Sequence, residues 1–76
     1  MKYPISEDQL KSLDNSYTYH SPKDDQTDRY VIIRNKAKEL AIVLCENAPK
    51  SRELSIALTD LEKVVTMANK AIACNE

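Results

Sequence analysis

The sequence predicts an all-α protein with one short N-terminal helix followed by an antiparallel hairpin of two long helices. Three observations predict this class. The 76 residues include no glycine and many helix-favouring Ala, Leu, Glu and Lys, which also excludes a glycine-rich phosphate loop. Apolar residues recur at spacings of three and four over the second half of the chain. A serine or an aspartate stands before each predicted helix, in the position that caps the first turn.

The first helix is predicted at about residues 7–14. Its start is indicated by Ser6 and Gln9, which have the spacing of a capping box. Two acids follow Ser6 in the first turn, where the helix dipole favours negative charge. Leu10 and Leu13 are expected to face inward.

The second helix is predicted at about residues 26–47, after a polar loop over residues 15–25. The loop contains Pro22, and the residue before a proline avoids helical geometry. Asp25 is the expected N-cap of the helix. An apolar seam with spacings of 4, 3 and 4 is predicted on one face and comprises Ile33, Ala37, Leu40 and Leu44.

The third helix is predicted at about residues 52–74, with Ser51 as its N-cap. The connection to the second helix is short, which makes the two helices antiparallel neighbours. The main apolar seam of this helix comprises Leu54, Leu58, Leu61, Val65, Ala68 and Ile72. A second apolar stripe lies on another face and comprises Ile56, Val64, Met67, Ala71 and Cys74.

The extra apolar residues of the two long helices indicate self-association. On the second helix, the residues that lie off the seam are Val31, Ile32, Ile42 and Val43. One hairpin buries one seam per helix, and each Leu or Ile left exposed forgoes about 1.5–3 kcal/mol. Because the first helix is too short to cover the remainder, we expect a closed, symmetric homo-oligomer. The alternative is that these stripes cover the first helix and the loop within one chain.

Length and charge favour a single domain over residues 1–76 that does not bind DNA or RNA. The chain has 11 basic and 12 acidic residues, whereas a general nucleic-acid binder shows a basic excess. It shows neither a signal-peptide pattern nor an apolar run long enough to span a membrane, so we expect a cytoplasmic location and no membrane partner. Cys45 and Cys74 are expected to be small buried apolar residues rather than a disulfide or metal ligands.

The polar loop and the start of the second helix carry the residues best suited to bind a flat anion. Tyr19 lies beside His20 in the loop and can stack on a base. Tyr30, Arg34 and Lys38 share one helical face because they are spaced by four residues. On this face, Arg34 can hold a phosphate through two parallel hydrogen bonds.

Other cations add to this site, and an ordinary alternative stands beside it. Lys23 and Lys36 offer further point charges. The alternative is a solvated helix surface, on which Lys36 pairs with Glu39 and Arg34 pairs with an acid such as Asp28. The residue types alone leave both interpretations open.

The signals for catalysis are weak. His20 is the single histidine, for which a hydrogen bond to the backbone is the common role, and no Cys/His cluster has metal-ligand spacing. Asp24, Asp25 and Asp28 crowd the start of the second helix, where compensation of the helix dipole explains them. We therefore predict no enzyme activity, no cofactor and no metal.

Three segments, in this order and spacing, carry a resemblance to a known family. They are TYHSPK at residues 18–23, DQTDRYVIIRNKAKELA at residues 25–41, and ENAPKSRELSIALTDLEKVVTMANKAIACNE at residues 46–76. Together they resemble a family of small phage proteins that antagonise CBASS, the bacterial defence that signals with cyclic oligonucleotides. The likeness extends from Tyr17 to Glu76.

The resemblance implies a sponge, a protein that binds cyclic di- and trinucleotides without cleaving them and so keeps them from the defence effector. It implies a hexamer with ligand pockets between protomers. It places the base-stacking residue at Tyr19 and the phosphate-pairing residue at Arg34, with Lys36 or Lys38 as rivals. His20 would lie next to the pocket.

The sequence departs from this family in two places. Thr27 stands where relatives often have proline, and both residues suit that helical position. Cys74 stands where some relatives have a basic residue, and the loss of a cation there would weaken a trinucleotide site. We therefore expect cyclic dinucleotides such as 3′,3′-cGAMP as ligands and leave cyclic trinucleotides open.

Two other function classes compete with the sponge. A small helical oligomer could serve as a protein-interaction module or phage regulator with no nucleotide ligand. Small three-helix dimers similar to chorismate mutase bind anions between their helices, but that family needs several Arg and Lys converging in the core. This chain has three arginines, Arg29, Arg34 and Arg52.

Overall fold

The computed structural model describes residues 2–76 and contains three α-helices and no strand over those residues. Helix α1 spans Glu7–Tyr17, α2 spans Gln26–Asn47 and α3 spans Arg52–Asn75. The all-α class is therefore confirmed. Helix α2 begins and ends at the residues predicted from the sequence, and α3 continues one residue further than predicted.

The capping box at the start of α1 is present as predicted. The Ser6 hydroxyl accepts a hydrogen bond from the Gln9 N–H at 3.2 Å, and Gln9 Oε1 accepts one from the Ser6 N–H at 3.0 Å. This reciprocal pair satisfies two backbone donors that the first turn of a helix leaves without partners.

Helix α1 ends three residues later than predicted, so Tyr17 belongs to its last turn rather than to the loop. Pro22 restricts only the residue before it, and nothing in the sequence breaks the helix earlier. The Thr18 hydroxyl donates a hydrogen bond to the Asp14 carbonyl and thereby closes the last turn.

The prediction that Leu10 and Leu13 face inward is wrong. Their exposed fractions are 51% and 44%. Helix α1 is held to α3 near its end, where Asn15 Nδ2 donates a hydrogen bond to the Cys74 carbonyl at 3.0 Å. Because α1 does not lie along the two long helices, its apolar side chains stay in solvent.

Helices α2 and α3 pack against each other along their predicted seams. All six seam residues of α3 are half-buried. On α2, Ile33, Ala37 and Leu44 are half-buried, but Leu40 is 47% exposed and Ala41 is half-buried in its place. The buried face of α2 is centred on Ala37. Because a helix turns about 100° per residue, the Ala41 side chain points about 40° from the centre of that face and is covered, whereas Leu40 points about 60° from it and is not.

The chain is a thin layer without a core. Among residues 2–76, no apolar side chain is buried, and Gln26 alone is, with an exposed fraction of 3%. The backbone spans 48 × 39 × 13 Å, so the layer is about a third as thick as it is wide. Its radius of gyration is 16.9 Å, against about 11 Å for a compact domain of this length.

The second apolar stripes are uncovered within the chain. Val64 and Met67 of α3 are 61% and 60% exposed, and Ile32 of α2 is 58% exposed. The accessible surface of 6505 Å² exceeds the value of about 4,700 Å² expected for a compact monomer of this mass. The alternative in which these stripes cover α1 and the loop of the same chain therefore holds only for Cys74, which is half-buried beside Asn15, and is wrong for the other stripe residues.

The cysteines differ from their predicted environment. Both are free; Cys74 is half-buried, but Cys45 is exposed, so the prediction that it is buried is wrong. Cys45 lies next to the half-buried Leu44 and lines an open groove between α2 and α3, so it stays in solvent. Over the described residues, no helix is long and apolar enough to cross a lipid bilayer.

Candidate functional site

The segment of residues 18–25 connects α1 to α2 and presents an aromatic ring to solvent. Tyr19 is 81% exposed, and Tyr17, at the end of α1, is 85% exposed. Aromatic rings lose hydrophobic stabilisation when they stay in water, and such rings are suited to stack on a flat ligand. The structure therefore leaves the predicted stacking residue free to bind.

His20 folds the loop back onto the end of α1. Its Nε2 lies 2.9 Å from the Asn15 carbonyl oxygen, and the ring is half-buried. Asn15 in turn donates to the Cys74 carbonyl of α3. His20 thus makes the backbone hydrogen bond expected of an ordinary loop histidine, one residue from Tyr19.

A tight turn joins the loop to α2. The Gln26 N–H donates to the Lys23 carbonyl at 3.0 Å, and Gln26 Oε1 accepts from the Lys23 N–H at 3.1 Å. Asp24, inside the turn, has φ of 52°, a left-handed conformation that aspartate tolerates better than most residues. Asp25 is the N-cap residue as predicted, but its carboxylate makes no cap hydrogen bond and pairs with Arg29 Nε at 3.1 Å.

The residue that follows α3 is bound at this same turn. The Glu76 carboxylate accepts two hydrogen bonds from the guanidinium of Arg29, of which the Nη1–Oε2 bond is 2.7 Å, and one from Gln26 Nε2 at 3.3 Å. Lys23 Nζ donates to the Glu76 main-chain oxygen at 2.6 Å. The predicted cation Lys23 therefore has a partner within the chain.

The electrostatics of Arg29 and Glu76 follow from this contact. The Arg29 and Gln26 hydrogen bonds lower the pKa of the Glu76 carboxyl from 4.5 to about 2. The same carboxylate, with Asp25, raises the pKa of Arg29 further above its ordinary value. Sequence reasoning missed this pair because 47 positions separate its members and no local pattern links them.

A groove of about 660 Å³ runs between α2 and α3 on one face of the layer. Its floor is apolar and includes Ala37, Ala41, Leu58, Leu61 and Val65. Its charged rim comprises Arg34, Lys38 and Glu46 along α2 and Glu62 in the middle of α3. The apolar floor thus has two basic and two acidic residues along its rim.

The six predicted site residues fall into three places in the structure. Arg34 and Lys38 line the groove, whereas Tyr19, His20 and Lys23 lie in the loop. Lys36 lies neither in the loop nor along the groove. Its Nζ lies 3.2 Å from Glu39 Oε2, as the solvated-surface alternative predicts. Within the described part of one chain, the groove lining does not include Tyr19. Over residues 2–76, no group of three or more His, Cys, Asp or Glu side chains could hold a metal ion.

The comparison with family models decides the relationship that these residues suggested. The model described as "Acb2/Tad1, hairpin domain" matches residues 9–73, well over half of the chain. The chain belongs to the Acb2/Tad1 family. This is the anti-CBASS sponge family, whose members bind and sequester cyclic oligonucleotides. The resemblance inferred from the sequence is confirmed.

The Acb2/Tad1 match covers the loop with Tyr19 and the whole of α2, and it ends before Glu76. It therefore includes every predicted site residue but not the carboxylate that binds Arg29. No curated protein and no solved structure matches the chain.

Proposed function

We propose that this chain binds and sequesters cyclic dinucleotides, such as 3′,3′-cGAMP, without cleaving them, and so blocks activation of a CBASS effector. The Acb2/Tad1 family match over residues 9–73 carries this proposal. The protein acts in the cytoplasm of the infected bacterium, where the signal is made. Sequestration needs only tight binding and sufficient protein, so no catalytic group takes part.

The residues available for binding suit this ligand class. Tyr19 offers an exposed ring, and each base stacked on such a ring contributes about 1–3 kcal/mol. Arg34 is free to pair with a phosphodiester through two hydrogen bonds, and Lys38 on the same groove supplies a second positive charge. His20 contributes by holding the loop beside Tyr19. Lys36 is a weaker candidate because Glu39 already pairs with it.

A second copy of the chain completes the site in this account. The loop residues and the groove residues do not share a cavity in one chain, and the apolar faces of both long helices are exposed. The contacts of Glu76 with the start of α2 support an antiparallel hairpin. Copies that dock through these faces would bring Tyr19 of one protomer towards Arg34 of another, and the family expectation for the assembly is a hexamer.

The groove is self-complementary in charge. Two copies docked groove to groove about a two-fold axis would bring the two basic and two acidic rim residues of one copy to those of the other, so that opposite charges pair. The apolar floor between these charges would then be covered on both copies. A two-fold axis also matches the approximate two-fold symmetry of a cyclic dinucleotide.

Cyclic trinucleotides form the second ligand class of the proposal. Cys74 is half-buried at the end of α3 and supplies no charge, so a trinucleotide site there lacks the cation that some relatives have. We expect dinucleotides to bind more tightly than trinucleotides to this chain.

The experiment is an isothermal titration of the purified chain with 3′,3′-cGAMP. We expect tight binding by the wild type, binding at least about tenfold weaker for Arg34→Ala because a charge-assisted contact is lost, and near-wild-type binding for the control Lys36→Ala. An absence of heat with both 3′,3′-cGAMP and a cyclic trinucleotide would sink the proposal.

The second candidate function is a protein-interaction module, which the exposed apolar stripes favour. In that case a protein partner, rather than a second copy, would cover Val64 and Met67. This function predicts that Tyr19→Ala and Arg34→Ala retain full anti-defence activity, whereas charged substitutions at Val64 and Met67 abolish it.

A further inference from the structure

The end of α3 contacts both sides of the loop that carries Tyr19. On one side, the Cys74 carbonyl accepts a hydrogen bond from Asn15, three residues before the loop begins. On the other side, Glu76 binds Arg29 and Gln26, at the start of α2. We call these contacts of Cys74 and Glu76 the clasp. The clasp fixes the two ends of the loop to one short segment.

The remaining hydrogen bonds of the loop are local. Thr18 bonds to Asp14, His20 to Asn15, and Lys23 to Gln26, with separations of three to five residues. Local bonds of this kind shape a turn, but they do not fix the position of a loop relative to a distant helix. The contacts of Glu76 span 47 to 53 positions and supply that restraint.

The Arg29 side chain forms part of the clasp and does not face the groove. Its Nε donates to Asp25, and both terminal nitrogens donate to Glu76. Arg29 and Arg34 are five positions apart, so their side chains leave α2 in directions about 140° apart. An arginine with its donors occupied and turned away from the groove is suited to positioning rather than to contact with a ligand.

We propose that the Arg29–Glu76 pair is a positioning device that holds the Tyr19 loop in the conformation that binds the cyclic dinucleotide. The inference rests on the proposed function and adds to it two residues that do not touch the ligand. It has a quantitative consequence. A loop that adopts the binding conformation only about a tenth of the time binds its ligand about tenfold more weakly.

The experiment is a double-mutant cycle with Arg29→Gln, Glu76→Gln and the double variant. Two quantities are measured: the affinity for 3′,3′-cGAMP, and the amide hydrogen exchange of residues 19–23 without ligand. Circular dichroism checks that each variant retains its helices. The matched control is Glu39→Gln, which breaks the exposed Lys36–Glu39 pair about two turns further along α2.

We expect each single variant to bind about tenfold more weakly than the wild type, with faster exchange in residues 19–23. The double variant should resemble the single variants, because one pair is broken in all three. The control should match the wild type in both measurements.

Two results would overturn the positioning role alone. Glu76→Gln could bind as tightly as the wild type with unchanged exchange in the loop. Arg29→Gln could lose far more affinity than Glu76→Gln, with additive losses in the double variant, which would mean that Arg29 contacts the ligand. A wild-type chain that binds no cyclic dinucleotide would remove the proposed function, and the positioning role with it.

Discussion

Tyr19 is the residue whose environment and proposed role agree most closely. Its ring is 81% exposed although an aromatic side chain gains from burial, and its neighbour His20 is fixed to the Asn15 carbonyl. The ring is therefore presented on an anchored backbone, which lowers the entropy lost when a base stacks on it.

Substitution of Tyr19 by alanine should weaken 3′,3′-cGAMP binding by roughly tenfold or more, because the stacking contribution of about 1–3 kcal/mol per base is removed. Isothermal titration measures the change. Tyr3→Ala is the matched control, since Tyr3 is also about 79% exposed but lies before α1. Equal losses for the two variants would mean that Tyr19 has no specific role.

The sequence predicts single residues well where the governing interaction is local. Ser6 and Ser51 cap their helices as predicted because capping depends on a few neighbouring residues, whereas Asp25 occupies the predicted position but makes no cap hydrogen bond. The exposure of Leu10 and the pairing of Arg29 with Glu76 depend on where distant elements lie, and no local pattern carries that information.

At the scale of the elements, α3 organises the structure. Its seam packs on α2, and its end binds both α1, through Asn15, and the start of α2, through Arg29. Its start is fixed by Ser51, whose hydroxyl accepts a hydrogen bond from the Leu54 N–H at 3.1 Å. Substitutions at the start and at the end of α3 should therefore each change the stability of the fold separately.

Ser51→Ala should lower the free energy of unfolding by about 1 kcal/mol, because the cap hydrogen bond to the first turn of α3 is lost. Urea denaturation measures the change. Ser55→Ala is the control within the same helix, where alanine has the higher helix propensity and should leave stability unchanged or slightly higher. A Ser51 variant as stable as the Ser55 variant would contradict the capping role.

The Glu76 contacts should depend on pH. The pKa of its carboxyl is lowered from 4.5 to about 2 in the folded chain, chiefly by the hydrogen bonds from Arg29. A lowered pKa stabilises the fold above the unfolded value and loses that contribution as pH falls through the folded value. The stability difference between the wild type and Glu76→Gln should therefore be full above pH 4.5 and vanish towards pH 2.

Urea denaturation of both proteins at several pH values between 6 and 2 measures this difference, since other carboxylates titrate equally in the two chains. A difference that stays constant down to about pH 2 would show that the Glu76 charge does not stabilise the fold.

At the scale of the whole molecule, the chain is a thin layer whose apolar faces are exposed to solvent. The thickness of 13 Å and the radius of gyration of 16.9 Å are those of a flat, extended chain rather than of a compact globular domain. The second stripes predicted from the sequence are exposed except at Cys74, as the oligomer hypothesis requires. On the seam of α2, Ala41 is half-buried where Leu40 was predicted, because the buried face was misplaced by part of a turn.

Charge reversal along the groove should control assembly. Arg34→Glu/Lys38→Glu and Glu46→Lys/Glu62→Lys should each sediment as smaller species than the wild type, because like charges would meet across the two-fold axis. An equimolar mixture of the two variants should regain the larger species, since opposite charges then face each other. Two variants that assemble like the wild type, or a mixture that stays small, would contradict docking through this groove.

The central claim is that the chain lowers the free concentration of its ligand without consuming it. The most direct measurement incubates 3′,3′-cGAMP with increasing amounts of protein, then quantifies the free nucleotide by ultrafiltration and the total nucleotide after heat denaturation. We predict that free nucleotide falls in proportion to the protein added while the total stays constant. A falling total would show that the chain degrades the signal, and unchanged free nucleotide would show that it does not bind it.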